Sequence, residues 1–194
     1  MVGRTLADMS DLSTVPGWVR PPPRAVARME DFLLRLRGRT KSAETLGAWA
    51  SLYWIAAPEG EGDQGPLTRR GRPTEDAARG EFRVADAITE GEPYPAAAWW
   101  AQRRIAATDR MPVAEWGIRV DSPYERYYCH GVRVALGWAL GIIDDPALLA
   151  PIRDGDGVRI PAADRDAYAG HLREIARPSA RPLAGEQGRT TTAV

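Results

Sequence analysis

Residues 123–143 read PYERYYCHGVRVALGWALGII, and this stretch decides the fold. It is the longest low-charge segment of the chain and holds the only cysteine (Cys129), one of two histidines (His130) and Gly131, Gly137 and Gly141. At 3.6 residues per turn, Tyr124, Tyr128, Val132, Ala135, Ala139 and Ile143 fall along one side. Tyr127, Val134 and Trp138, with Leu136 and Leu140, occupy the flanking sides. The last two turns are apolar almost all round, which is the pattern of a helix buried among other helices. The apolar run Val134–Ile143 is about half the roughly 20 residues that a membrane span needs. The expectation is a core helix over about 124–143 in a soluble domain.

Outward from this helix, the chain reads as mainly α. Residues 1–23 are expected to form an extended arm, because Pro16, Gly17 and the triplet Pro21-Pro22-Pro23 oppose helix. Arg24–Arg37 is an amphipathic helix with the stripe Val26, Met29, Phe32, Leu33, Leu36 and a stop at Gly38. A second helix spans about Ser42–Ala57, with Leu46, Trp49, Ala50 and Tyr53 on one side, broadened by Leu52, Trp54 and Ile55. Its apolar character argues against a recognition helix, which needs polar side chains to read base edges. Residues 58–73 (PEGEGDQGPLTRRGRP) form a long loop, functional or mobile by its length.

Thr74 caps a third helix, with Glu75 and Asp76 in its first turn and Ala78, Phe82, Ala85 and Ile88 inward. A helix from Pro95 to about Asp109 follows. Residues 117–121 and 157–161 alternate like short strands and could pair as a minor two-stranded β ribbon. A last helix covers about Ala163–Ala176 with Tyr168, Leu172 and Ile175 inward. Residues 178–194 have nothing to bury and are expected to be disordered. The whole predicts a single helical domain over 24–177, a compact bundle of five or six helices around the central one.

Composition narrows the function classes. Lys41 is the only lysine; the other 25 of the 26 basic residues are arginine, a bias that GC-rich coding explains most simply. Residues 1–72 carry 11 basic and 8 acidic side chains, residues 73–150 carry 8 and 12, and residues 151–194 carry 7 and 6. No segment is strongly basic, which disfavours nucleic-acid binding by bulk charge. One cysteine excludes an internal disulfide framework and a Cys-rich zinc module. The N-terminal residues lack the apolar core of a secretory signal, so a cytoplasmic location without membrane attachment is expected.

No catalytic residue, metal site or cofactor is assigned. Cys129 and His130 are about 100° apart on a helix and do not face each other readily. Asp154-Gly155-Asp156-Gly157 starts like a calcium loop, but Val158 stands at the third ligand position and the late glutamate is missing. The best polar cluster is Glu125 with Tyr127, Tyr128, Cys129 and His130, as a structural network or as the pocket of a small enzyme. Trp99/Arg103 and Trp100/Arg104 are i,i+4 pairs in which a guanidinium can lie over an indole. Together with Trp18 and the loop arginines Arg69, Arg70 and Arg72, they are the candidate partner contacts. The same tryptophan–arginine platform could instead take nucleic acid.

Gly137-x-x-x-Gly141 allows close approach of another helix, in the same chain or in a second copy. The leading expectation is a non-enzymatic interaction protein with a protein partner or self-association. It would be an adaptor, accessory subunit or assembly component, with a phage-related setting in view. Seven tryptophans, more than a core of this size requires, carry that expectation.

Overall fold

The computed structural model describes residues 15–58, 65–67, 71–90 and 123–177, with side chains from Arg126 onward in the last range. The helix expected over 95–109, the strand expected over 117–121 and the tail 178–194 lie outside these residues. Among the described residues there are five α-helices and no strand: α1 (Pro23–Thr40), α2 (Ala43–Ala56), α3 (Glu75–Glu90), α4 (Pro123–Ala139) and α5 (Ala162–Ala176). A 3-10 helix covers Pro146–Leu149. None of the helices is long and apolar enough to cross a membrane.

α1 starts where proline allows it, with Pro23 in the first turn after Pro22. Its buried stripe is Ala25, Val26, Met29, Leu33 and Leu36, with Phe32 half-buried beside it. The helix passes Gly38 and stops instead at Lys41, whose φ of 51° lies in the left-handed region. Lys41 donates its N–H to Arg37 O at 2.8 Å, and the Thr40 hydroxyl bonds to Leu36 O at 3.0 Å. The first bond satisfies a spare carbonyl of the last turn, and the second adds a side-chain donor to the turn before it. Gly38 was therefore not the stop that its residue type suggested.

α2 and α4 form the centre, and α4 packs most extensively against α2 and then α3. What brings α2 and α4 together is the absence of two side chains. A Cβ on Gly47 would stand 2.1 Å from Tyr128 O, and one on Gly131 would stand 1.9 Å from Glu44 O. Only glycine permits this backbone-to-backbone approach. The crossing also decides which face of α2 goes inside. Gly47, Ala48, Ser51, Leu52, Trp54 and Ile55 are buried, whereas Leu46, Trp49, Ala50 and Tyr53 are only half-buried. The side expected to lead inward is thus the outer one. Trp49 and Tyr53 stack there at 5.3 Å, with the Arg37 guanidinium 5.2 Å from the Trp49 ring.

α4 is shorter than the expected 124–143. It ends at Ala139, and Gly141 turns the chain with φ +69°. The N–H groups of Ile142 and Ile143 both donate to Gly137 O, at 2.8 and 3.0 Å, closing the helix end. Residues 15–22 run past that end. Arg20 N donates to Ala139 O at 2.9 Å, and Val15, Trp18 and Val19 pack on the core. The described part of the arm is docked on its own domain.

α3 is capped as expected, the Thr74 hydroxyl accepting from Ala77 N at 3.1 Å. Asp145 caps the 3-10 helix through Ala147 N at 3.0 Å. Residues 157–161 pair locally, making a single antiparallel bridge between Arg153 and Arg159 across their own turn. Asp154 Oδ1 accepts from Asp156 N at 3.0 Å and Val158 N at 2.8 Å, so its carboxylate shapes this turn. Gly155 N in turn donates to Thr40 O at 2.8 Å, which seats the turn on the α1–α2 connection.

Candidate functional site

The four described residues of the expected polar pocket, Tyr127, Tyr128, Cys129 and His130, are not gathered into one. The side chain of Glu125 lies outside the described residues. α4 sends the other four in different directions. Cys129 is fully buried in the hydrophobic core. The Tyr128 hydroxyl donates to Pro66 O at 2.9 Å and holds the long loop. Tyr127 carries the Arg153 guanidinium 5.5 Å from its ring centre. His130 has its ring held below the usual imidazole range by burial and then by the Arg133 charge, against the pull of Glu90. Arg133 itself forms an ion pair with Asp86 of α3 at 2.5 Å and approaches Glu90 at 3.6 Å.

Of the expected partner contacts, Arg69, Arg70, Trp99, Trp100, Arg103 and Arg104 lie outside the described residues. Trp18 is half-buried, and its indole N–H donates to Pro73 O at 3.2 Å. Trp54 does the same to Gly71 O at 3.1 Å, so two indoles grip one end of the loop. Arg72, between those two carbonyls in sequence, is exposed. A Cβ on Gly137 would meet Ile143 at 2.6 Å and Phe82 at 3.1 Å, both in the same chain. Gly141 is exposed, with the Arg20 stem beside it.

Two buried carboxylates were missed by the sequence reading. Glu81 of α3 is fully buried and accepts from Leu67 N at 3.0 Å. Its place on the inward stripe, three residues after Ala78 and four before Ala85, was a legible signal. Glu44 opens α2, is 4% exposed, and accepts from Ile152 N. Burial raises its pKa above the ordinary 4.5, against hydrogen bonds from Ile152 and Arg153 and the charges of Arg165 and Arg153. Both carboxylates tie a loop to the helical frame.

The surface offers something different between α1 and α5. The aligned side chains of Phe32, Arg35, Leu36 and Arg39 from α1 face Ala167, Tyr168 and His171 from α5 across an open groove of about 320 Å³. The spacing is i, i+3, i+4, i+7 on α1 and i, i+1, i+4 on α5, which puts each set on one helix face. The Phe32 and His171 rings meet at 4.6 Å and 49° on the groove wall. Arg35 is bonded to Asp31 at 2.6 Å and His171 lies 3.8 Å from Glu174, whereas Arg39 is exposed without an ionic partner among the described residues. The groove joins residues about 130 positions apart, a pairing that local periodicity does not reveal.

Among the described residues no group of three or more histidine, cysteine or acidic side chains is placed to hold a metal. No family model, curated protein or solved structure matches the chain.

Proposed function

We propose that the protein works through protein–protein contact, as an adaptor, accessory subunit or assembly component, and not by catalysing a reaction. The observation that carries this reading is the open groove, lined by the Phe32, Tyr168 and His171 rings together with Arg35 and Arg39. Aromatic and arginine side chains are the types that dominate protein interfaces. The groups with the most chemical potential have other employment. Cys129 packs in the core, Tyr128 and Glu81 hold the loop, Glu44 holds residue 152, and Asp154 shapes its own turn. Trp18, Arg69, Arg70, Arg72, Trp99, Trp100, Arg103 and Arg104 remain proposed partner contacts on the same reading, and Gly137 and Gly141 a proposed site of self-association.

Native mass spectrometry on the protein purified from its own source tests the proposal. A second chain in defined stoichiometry, or a fixed multiple of the chain mass, is expected. A monomer carrying a small non-covalent ligand, with turnover of that ligand, would overturn it.

A further inference from the structure

We infer that the α1–α5 groove receives a short acidic segment of a partner protein, in which a carboxylate neighbours an aromatic or large aliphatic side chain. This rests on the interaction reading above and names the chemistry of its partner.

The volume, about 320 Å³, is at the lower end of the range for ligand-sized sites. It suits one large side chain with its flanking backbone and not a long strand or helix. The lining supplies rings and aliphatic surface from Phe32, Leu36, Tyr168 and His171, which is the surface an apolar anchor covers. The charge is one-sided, since the lining includes two arginines and no carboxylate. Asp31 already neutralises Arg35, so Arg39 is the guanidinium open to a new partner. A guanidinium pairs with a carboxylate through two parallel N–H donors, a geometry that selects the anion as well as attracting it.

A single nucleic-acid strand also stacks on rings, but it needs a continuous basic track. Here the lining supplies Arg35, already paired with Asp31, and Arg39, which suit one carboxylate and do not make a track for successive phosphates. The acidic protein segment is therefore the occupant that both the shape and the charge favour.

The test uses the full chain and an immobilised array of ten-residue peptides. Each combines one tryptophan, phenylalanine or leucine with two or three acidic residues at varied spacing. A charge-reversed array with lysines and a fluorescent poly-dT oligonucleotide serve as competing probes. Acidic–apolar peptides are expected to bind. Arg39→Glu should weaken them about tenfold or more, and Ala167→Trp, which fills the groove from α5, should abolish binding. Both positions are exposed, so unchanged thermal melting confirms that the fold persists.

Equal binding of lysine peptides, tighter binding of the oligonucleotide, binding unaffected by both variants, or no binding from either array would overturn the inference. Native mass spectrometry of the same variants separates the two levels. A native complex that survives Arg39→Glu and Ala167→Trp leaves the interaction reading standing and removes the groove from it.

Discussion

The crossing of α2 with α4 and the seating of α5 on α1 are both helix–helix contacts, built in opposite ways. At the first, Gly47 and Gly131 let two backbones touch, and the buried Ser51 hydroxyl donates to Gly47 O at 2.9 Å beside them. At the second, α5 buries only Leu172 and Ile175, and its remaining inner face opens into the groove. A contact made of backbone has one geometry, because carbonyls cannot change rotamer. A contact made by two apolar anchors beside flexible arginines leaves surface that can adapt. The molecule thus separates a fixed centre from an adaptable edge, and the proposed partner site is on the edge.

The largest expected effect comes from adding one methyl group at the centre. Gly131→Ala places a Cβ 1.9 Å from Glu44 O and 2.9 Å from Ala48 N, so the helices must move apart. A loss of about 3 kcal/mol or more is expected, seen as a fall in Tm of roughly 6–12 °C. Gly137→Ala is the control within the same helix. Its nearest contact is the Cδ1 end of Ile143 at 2.6 Å, which can rotate away, so about 1 kcal/mol is expected. Equal losses at the two positions would remove the distinction between backbone and side-chain contact. Dissociation of an oligomer by Gly137→Ala, with the monomer still folded, would instead place that glycine in self-association.

Glu44 gives the next effect, and its sign is distinctive. Its folded pKa is raised by burial, so the unfolded chain releases the proton first as pH rises. Its contribution to stability is therefore fully present below its ordinary value of 4.5 and is lost as pH rises through the raised value. His130 and Asp145 act in the opposite direction, because burial lowers the first and the Arg173 hydrogen bond lowers the second. Comparing urea melts of Glu44→Gln with the parent across pH 4–7 isolates Glu44. The variant should gain relative to the parent with rising pH. Glu44→Ala, by contrast, leaves the Ile152 N–H without its acceptor and should cost about 1–3 kcal/mol. A Glu44→Gln difference that stays flat with pH would show that this carboxyl is not perturbed.

The smallest expected effect is at the edge. Arg39→Glu should change stability by no more than about 0.5 kcal/mol, because the side chain is exposed and forms no ion pair among the described residues. A large loss in chemical denaturation would mean that the groove belongs to the frame.

The helices themselves were legible, because the stripes Val26–Leu36 and Ala78–Ala85 and the pair Leu172 and Ile175 follow the 3.6-residue period. So was the Thr74 cap, which uses a side chain suited to that position. The errors have a common cause. Which glycine faces backbone depends on what lies opposite, so sequence spacing did not single out Gly47 and Gly131 as the pair at the helix crossing. The inward face of α2 was misassigned for the same reason, since small residues there pack against backbone and give a weak apolar signal. The stop at Lys41 was hidden because lysine seldom takes a left-handed φ, and Gly38 beside it offered the more usual signal. The groove was invisible because its two walls meet only through tertiary packing.

Amide hydrogen exchange resolved by residue tests the division into centre and edge most directly. The slowest amides should lie in α2 and in α4 from Tyr128 to Ala139, exchanging only through global unfolding. Those of α5 should exchange through a lower-energy opening that leaves the centre protected. Protection in α5 equal to that of α2 and α4, or earlier exchange around Gly47 and Gly131, would contradict the account.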